Sequence, residues 1–148
     1  VKKNASFLIG KGVAPSIDVA EDVIIFADGK WLKFVIGQLL VNAAKYESTT
    51  IAISSRLEAD GTSDAHTVLI IADDGCGIPA ADINSVFEKG FTGENGRKFG
   101  SSTGMGLFLC ATMCAEMGLG ISIASEEGAG TRVMIAFPHD RRRLDMLN

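Results

Sequence analysis

The stretch WLKFVIGQLLVNAAKY, residues 31–46, decides how the rest of the chain is read. Its apolar residues recur with a helical period, and Asp28 just ahead of it is placed to cap the first turn. Within it Gln38, Asn42 and Lys45 fall at i, i+4 and i+7 and share one face, while Leu39 and Leu40 turn towards a core. A neutral amide oxygen and an ammonium on one stripe suit a magnesium-bound phosphate chain. Taken alone, the same stripe also suits a plain solvated helix face.

Upstream of this helix, Val23-Ile24-Ile25-Phe26 is rich in β-formers and predicts a strand. Downstream, Thr50–Ser54 and Thr67–Ile71 predict two more, separated by a polar Asp60-Gly61 turn of the hairpin type. Pro79 suits the first position of a short helix through Ile83 and Val86 to Phe87. From Lys89 to Gly104 the sequence KGFTGENGRKFGSSTG carries five glycines and little apolar content, which predicts a mobile loop. Met105 to Met117 returns to helical periodicity and stops at Gly118. Ile121–Ile123 and Arg132–Phe137 then alternate as strands around a Gly128-Ala129-Gly130 turn. Arg141-Arg142-Arg143 reads as a solvated tail.

The 148 residues are 47% hydrophobic and 22% charged, enough to bury one core. No repeat or linker divides them. The expected fold class is α+β, a two-layer α/β sandwich with about three helices on one face of a mixed sheet, forming a single domain over residues 1–148. A formal net charge of −4 offers no broad basic surface for nucleic acid or acidic lipid, so any polyanionic ligand must be bound by a local arrangement. Cys76, Cys110 and Cys114 are odd in number and lack a paired metal-ligand spacing, which suits a reducing, cytoplasmic compartment. Cys110 and Cys114, one helical turn apart, read as core packing. No apolar run approaches the roughly 18 residues needed to span a bilayer, and a start at Val1 suggests a piece of something longer.

Three further segments carry chemistry. Asp73-Asp74-Gly75-Cys76-Gly77-Ile78-Pro79 follows a strand: its glycines let backbone approach a ligand, and a carboxylate at the strand end accepts from an exocyclic amine. Thr103-Gly104-Met105-Gly106-Leu107 opens a helix and offers unpaired N–H groups to an anion. Gly128-Ala129-Gly130-Thr131 precedes the last strand. Singly these are also a turn, a surface loop and a hairpin. Neither the GxGxxG dinucleotide fingerprint nor the GxxxxGK[ST] phosphate loop is present, which excludes Rossmann and P-loop readings.

In this order the four segments resemble the nucleotide-binding boxes of the superfamily that joins DNA gyrase, the ninety-kilodalton heat-shock chaperones, mismatch-repair ATPases and histidine kinases. Asn42-Ala43-Ala44-Lys45-Tyr46 is similar to the histidine-kinase form of its asparagine box, and Phe87-Glu88-Lys89-Gly90-Phe91 to the phenylalanine box before its ATP lid. The phrase Gly90–Arg97 further resembles sensor kinases that respond to peptide antibiotics beside a transporter. The resemblance implies ATP and magnesium as cofactors: Asn42 as the magnesium ligand, Lys45 on phosphate, Tyr46 against adenine and Asp73 on the adenine amino group. It implies pocket or hinge roles for Gly75, Gly77, Ile78, Phe91, Gly104, Met105, Gly106, Leu107 and Thr131. Lys89, Arg97 and Lys98 are candidates for charge over the phosphates, or ordinary solvated lysines and arginine.

Two departures refine this. The superfamily's hydrolases carry a glutamate base one turn before the asparagine, where this chain has Gln38, and an amide cannot take a proton from water. The kinases' acceptor histidine lies on a separate helical dimerisation segment, whereas His66 and His139 here flank predicted strands. The expectation is a histidine kinase catalytic domain in two-component signalling. It would serve a histidine-bearing dimerisation domain of a homodimeric parent and a response regulator, on the cytoplasmic side of an anchored parent, without nucleic-acid or direct membrane contact. The alternatives are a nucleotide-gated binding module without chemistry and a serine kinase of the anti-sigma-factor type.

Overall fold

A computed structural model describes residues 8, 10, 12–20, 23, 25, 27–45, 48–59, 61–91 and 105–138. The first long element is α1 (Gly29–Lys45). Asp28 caps it as the sequence predicts, its Oδ1 accepting the N–H groups of Lys30 and Trp31, both at 3.0 Å. Val35, Leu39, Leu40, Ala43 and Ala44 form its buried stripe.

Five strands make one mixed sheet: β1 (Ala14–Asp18), β2 (Thr50–Glu58), β3 (His66–Asp73), β4 (Gly120–Glu126) and β5 (Gly130–Pro138), in the order β1-β2-β3-β5-β4. β1 runs parallel to β2 and all other pairings are antiparallel. Register puts Ile53, Ile71 and Val133 side by side across three strands. These residues, with Ile51, Ile135 and Phe137, meet the buried faces of α1 and α2 (Gly106–Glu116) in one core. Cys110 and Cys114 are both fully buried there. α2 ends in a Schellman turn: Gly118 takes φ +69°, its N–H reaches the Ala115 carbonyl at 3.0 Å, and the Leu119 N–H reaches Cys114 at 2.8 Å.

Three expectations need correcting. Among the described residues two α-helices run from end to end on the sheet rather than about three, and Leu8 and Gly10 are also helical. Pro79–Phe87 is not a helix but a run of turns around the 3-10 turn Ile83–Ser85, because successive bonds close over three residues, Asp82 to Pro79 and Ser85 to Asp82, both at 2.9 Å. Val23 and Ile25 stand outside any strand, and the additional strand is β1, whose Pro15 is tolerated because β1 is a sheet edge. The ATP-lid expectation falls on residues 92–104, outside the described residues. Among the described residues no helix is long and apolar enough to cross a membrane.

Candidate functional site

The site gathers where β3 ends beside the exit of α1. Asp73, the last residue of β3, pairs in register with Thr131 at the start of β5. Its Oδ1 accepts the Gly75 N–H at 2.9 Å, which turns the loop back on the strand end. Burial pushes the Asp73 carboxyl above its usual range, opposed by hydrogen bonds from the Gly75 N–H, the Ser48 hydroxyl and the Thr131 N–H, while the neighbouring Asp74 pushes it further up. A half-buried carboxylate that still has acceptor capacity suits a ligand amine.

Two glycines make the surroundings possible. A Cβ on Gly77 (φ +71°) would lie 2.1 Å from the Glu126 carbonyl oxygen, and one on Gly130 (φ +119°) would lie 2.1 Å from the Asp73 carbonyl oxygen. The loop and the β4–β5 turn are thus in main-chain contact, reinforced by the Gly128 N–H donating to the Cys76 carbonyl at 2.7 Å. Ser125 ties a third thread. It accepts the Ile78 N–H at 2.8 Å, donates to the Gly130 carbonyl at 2.9 Å and lies 2.9 Å from the Thr131 hydroxyl.

On α1, Gln38, Asn42 and Lys45 are half-buried while their neighbours Leu39, Leu40, Ala43 and Ala44 are buried. α1 meets two other parts of the chain. At one end a Cβ on Gly106, the first residue of α2, would sit 3.2 Å from Gln38 Oε1. At the other, the Ala43 carbonyl accepts the Ser48 hydroxyl at 2.5 Å. An amide and an ammonium on one helix face fit a magnesium-bound phosphate chain, since magnesium keeps waters and phosphate oxygens and needs few protein ligands.

The structure brings Asp73, Gly75, Gly77, Ile78 and Thr131 into one cluster and sets Gln38 against Gly106, while Asn42 and Lys45 lie half-buried on α1. Met105 and Leu107 flank Gly106 at the opening of α2, both half-buried. Lys89 is exposed and Phe91 half-buried at the end of the turn run, and among the described residues neither hydrogen-bonds to the Asp73 cluster. Tyr46, Arg97, Lys98, Gly104 and His139 lie outside the described residues. Ser125, central to the cluster, carries no sequence signal, because a single serine declares its partner only once distant segments meet. His66 opens β3, about 23 Å from Asp73 at strand rise, and is held by Glu58 at 3.0 Å and the Asp64 carbonyl at 2.8 Å.

The model of the histidine kinase-, DNA gyrase B-, and HSP90-like ATPase family matches residues 27–141. The chain belongs to that family. The domain is 43% identical over 132 residues to the sensor histidine kinase YxdK of Bacillus subtilis (strain 168), covering 88% of this chain and 40% of that protein. It is 38% identical over 129 residues to the sensor protein kinase GraS of Staphylococcus aureus (strain MRSA252), covering 86% of this chain and 36% of that protein. It thus spans about two fifths of the curated relatives it matches. The mycobacterial sensor histidine kinase MprB shares the fold with a TM-score of 0.76 at 20% identity, over 93% of this chain and 91% of that one. A nucleotide-free catalytic domain of the histidine kinase ThkA does so at 0.74 and 21% identity, over 96% and 89%. The domain is of the ATP-binding catalytic kind found in sensor histidine kinases, which does not favour the gated-module or serine-kinase alternatives.

Proposed function

We propose that this domain binds Mg-ATP and donates the γ-phosphoryl group to a histidine on a separate dimerisation helix, from which a response-regulator aspartate takes it. The observation that carries the reading is the pairing of a half-buried adenine-type acceptor, Asp73, with an α1 stripe on which an amide, Gln38, stands where a hydrolase needs a carboxylate. Asp73 accepts the adenine amino group, Lys45 meets phosphate, and Asn42 would hold magnesium, whose charge offsets that developing on the phosphate oxygens. Transfer breaks the bond between the γ-phosphorus and the β–γ bridging oxygen and forms one from phosphorus to the imidazole nitrogen, with ADP leaving. The domain's contribution is positioning and exclusion of water, with no group on the α1 stripe to activate water as an attacking nucleophile. We propose that it acts as one domain over residues 1–148, within a homodimeric parent tethered to the cell membrane, on its cytoplasmic side.

Incubation with γ-labelled ATP tests this. The chain alone is expected to bind ATP without labelling itself or hydrolysing it. Adding the histidine-bearing helices, in cis or in trans, should yield acid-labile, base-stable label that Asn42→Ala removes. Strong self-labelling of the chain, or brisk phosphate release abolished by Gln38→Ala, would refute phosphotransfer.

A further inference from the structure

The ladder between β2 and β3 ends where Ile51 faces Asp73, because Asp74 begins the loop in which the Gly75 N–H turns back onto the Asp73 carboxylate. Main-chain donors of the segment entering β2 lie beyond that last rung, and an N–H without an acceptor costs free energy. Asp74 supplies the acceptors from its side chain. Its Oδ1 accepts the N–H groups of Thr49 at 2.8 Å and Thr50 at 2.9 Å, and its Oδ2 accepts the Thr49 hydroxyl at 2.5 Å. Of two consecutive carboxylates, one keeps acceptor capacity for a ligand and the other is committed to a staple across the strand ends.

The staple joins the two places that a nucleotide would span. Asp74 directly follows Asp73, and Thr49 lies four residues beyond Lys45, the last residue of α1. Thr49 is held from a second side, its carbonyl accepting the Ala14 N–H at 2.9 Å. The preceding residue, buried Ser48, donates to the Ala43 carbonyl in the last turns of α1 at 2.5 Å. Hydrogen bonds thus lead from Asp74 to Thr49, and from its neighbour Ser48 back onto α1 beside Asn42. Cutting the first of them lets the exit of α1 shift against the end of β3.

We propose that Asp74 is a positioning residue that sets, through Thr49 and Thr50, the separation between the base acceptor Asp73 and the phosphate-binding end of α1. The proposal rests on the Mg-ATP reading for the ligand that reaches both. Such a ligand is sensitive to their separation, since a misplacement of about 1 Å can cost about 100-fold. A ligand that reaches only Asp73 is not.

Binding to the intact chain, followed by NMR at a temperature where every variant is folded, decides it. Asp74→Ala should weaken a non-hydrolysable ATP analogue roughly 10-fold or more, and leave the affinity for adenosine, which has no phosphate, unchanged. Asp74→Asn keeps an oxygen for the two N–H groups and offers an N–H to the Thr49 hydroxyl, so it should retain the analogue's affinity. Without nucleotide, amide exchange at Thr49 and Thr50 should quicken in Asp74→Ala and stay slow in Asp74→Asn. Should Asp74→Ala not fold, Thr49→Val removes the hydroxyl leg alone and should show the same pattern on a smaller scale. Equal losses for the analogue and adenosine would mark a general loosening of the site and overturn the proposal. Unchanged affinity for both in Asp74→Ala, or an asparagine variant as weak as the alanine one, would overturn it too. Failure of the unaltered chain to bind the analogue refutes the Mg-ATP reading and takes the proposal with it, whereas the other failures leave that reading standing.

Discussion

Replacing Gly77 with alanine tests how tightly the loop after β3 is held against the β4–β5 turn, and Gly61→Ala is its control. Both glycines have left-handed backbones, φ +71° and +79°, but a Cβ on Gly61 meets nothing within 4 Å whereas one on Gly77 meets the Glu126 carbonyl oxygen at 2.1 Å and its carbon at 2.8 Å. The left-handed conformation costs an alanine about 1–2 kcal/mol at either site. At Gly77 main chain must also move aside, and overpacking of this kind costs about 1–3 kcal/mol. That movement pulls on the 2.7 Å bond between the Gly128 N–H and the Cys76 carbonyl, worth about 0.5–1.5 kcal/mol. Gly77→Ala should therefore lose about 2.5–6.5 kcal/mol in all. Gly61→Ala should lose only the first part. Urea unfolding followed by the fluorescence of Trp31 measures both. Equal losses in the two variants would show that the loop yields freely, and the close-contact argument would fail.

Asp73→Asn should leave the nucleotide-free domain as stable or more so at neutral pH, since burial raises the pKa of Asp73 and its ionised form is the strained one, yet weaken ATP binding and erode the preference for ATP over GTP; calorimetry checks both. Asp74 has the opposite sign: the bonds from Thr49 and Thr50 hold its carboxyl far below the usual range, so its stabilisation is complete above about pH 4 and is lost as pH falls below that. Asp74→Asn should flatten that part of an acid-unfolding profile, and an unchanged profile would count against the staple. Burial pushes the Cys110 thiol up to about 12 and raises that of Cys114, so iodoacetamide at pH 8 should label half-buried Cys76 alone in the folded chain and all three cysteines in denaturant, as mass spectrometry would show.

Much of this was legible in the residues because it depends on local pattern. Asp28 capping a periodic stretch fixed α1, and the β-rich run Thr67–Ile71 and the alternation in Arg132–Phe137 marked the two strands that frame Asp73 and Thr131. What escaped depends on distant pairing. Ala14-Pro15-Ser16-Ile17-Asp18 holds a single strong β-former and becomes a strand only because β2 supplies its partner. Val23 and Ile25 have the composition of a strand, but Ile25 packs on the core without joining the sheet. Pro79 presets a helical φ, yet the 3-10 turn after it packs on β4 and the chain closes in tight turns. Asp73 and Gly77 could be picked out by residue type, whereas Ser125 acquires its role only when β4 lies beside Ile78.

Where Gly77 meets Glu126, one position contributes the lack of a side chain and the other contributes only its main chain, the Glu126 side chain being turned to solvent. Residue 126 can therefore drift through the amino-acid alphabet with the contact intact, while residue 77 can hardly drift at all. Correlated exchanges record side chain meeting side chain, and this pair has none to record. The junction between the loop after β3 and the β4–β5 turn is thus silent to covariation: an alignment of relatives would carry it as an unvarying column opposite a freely varying one.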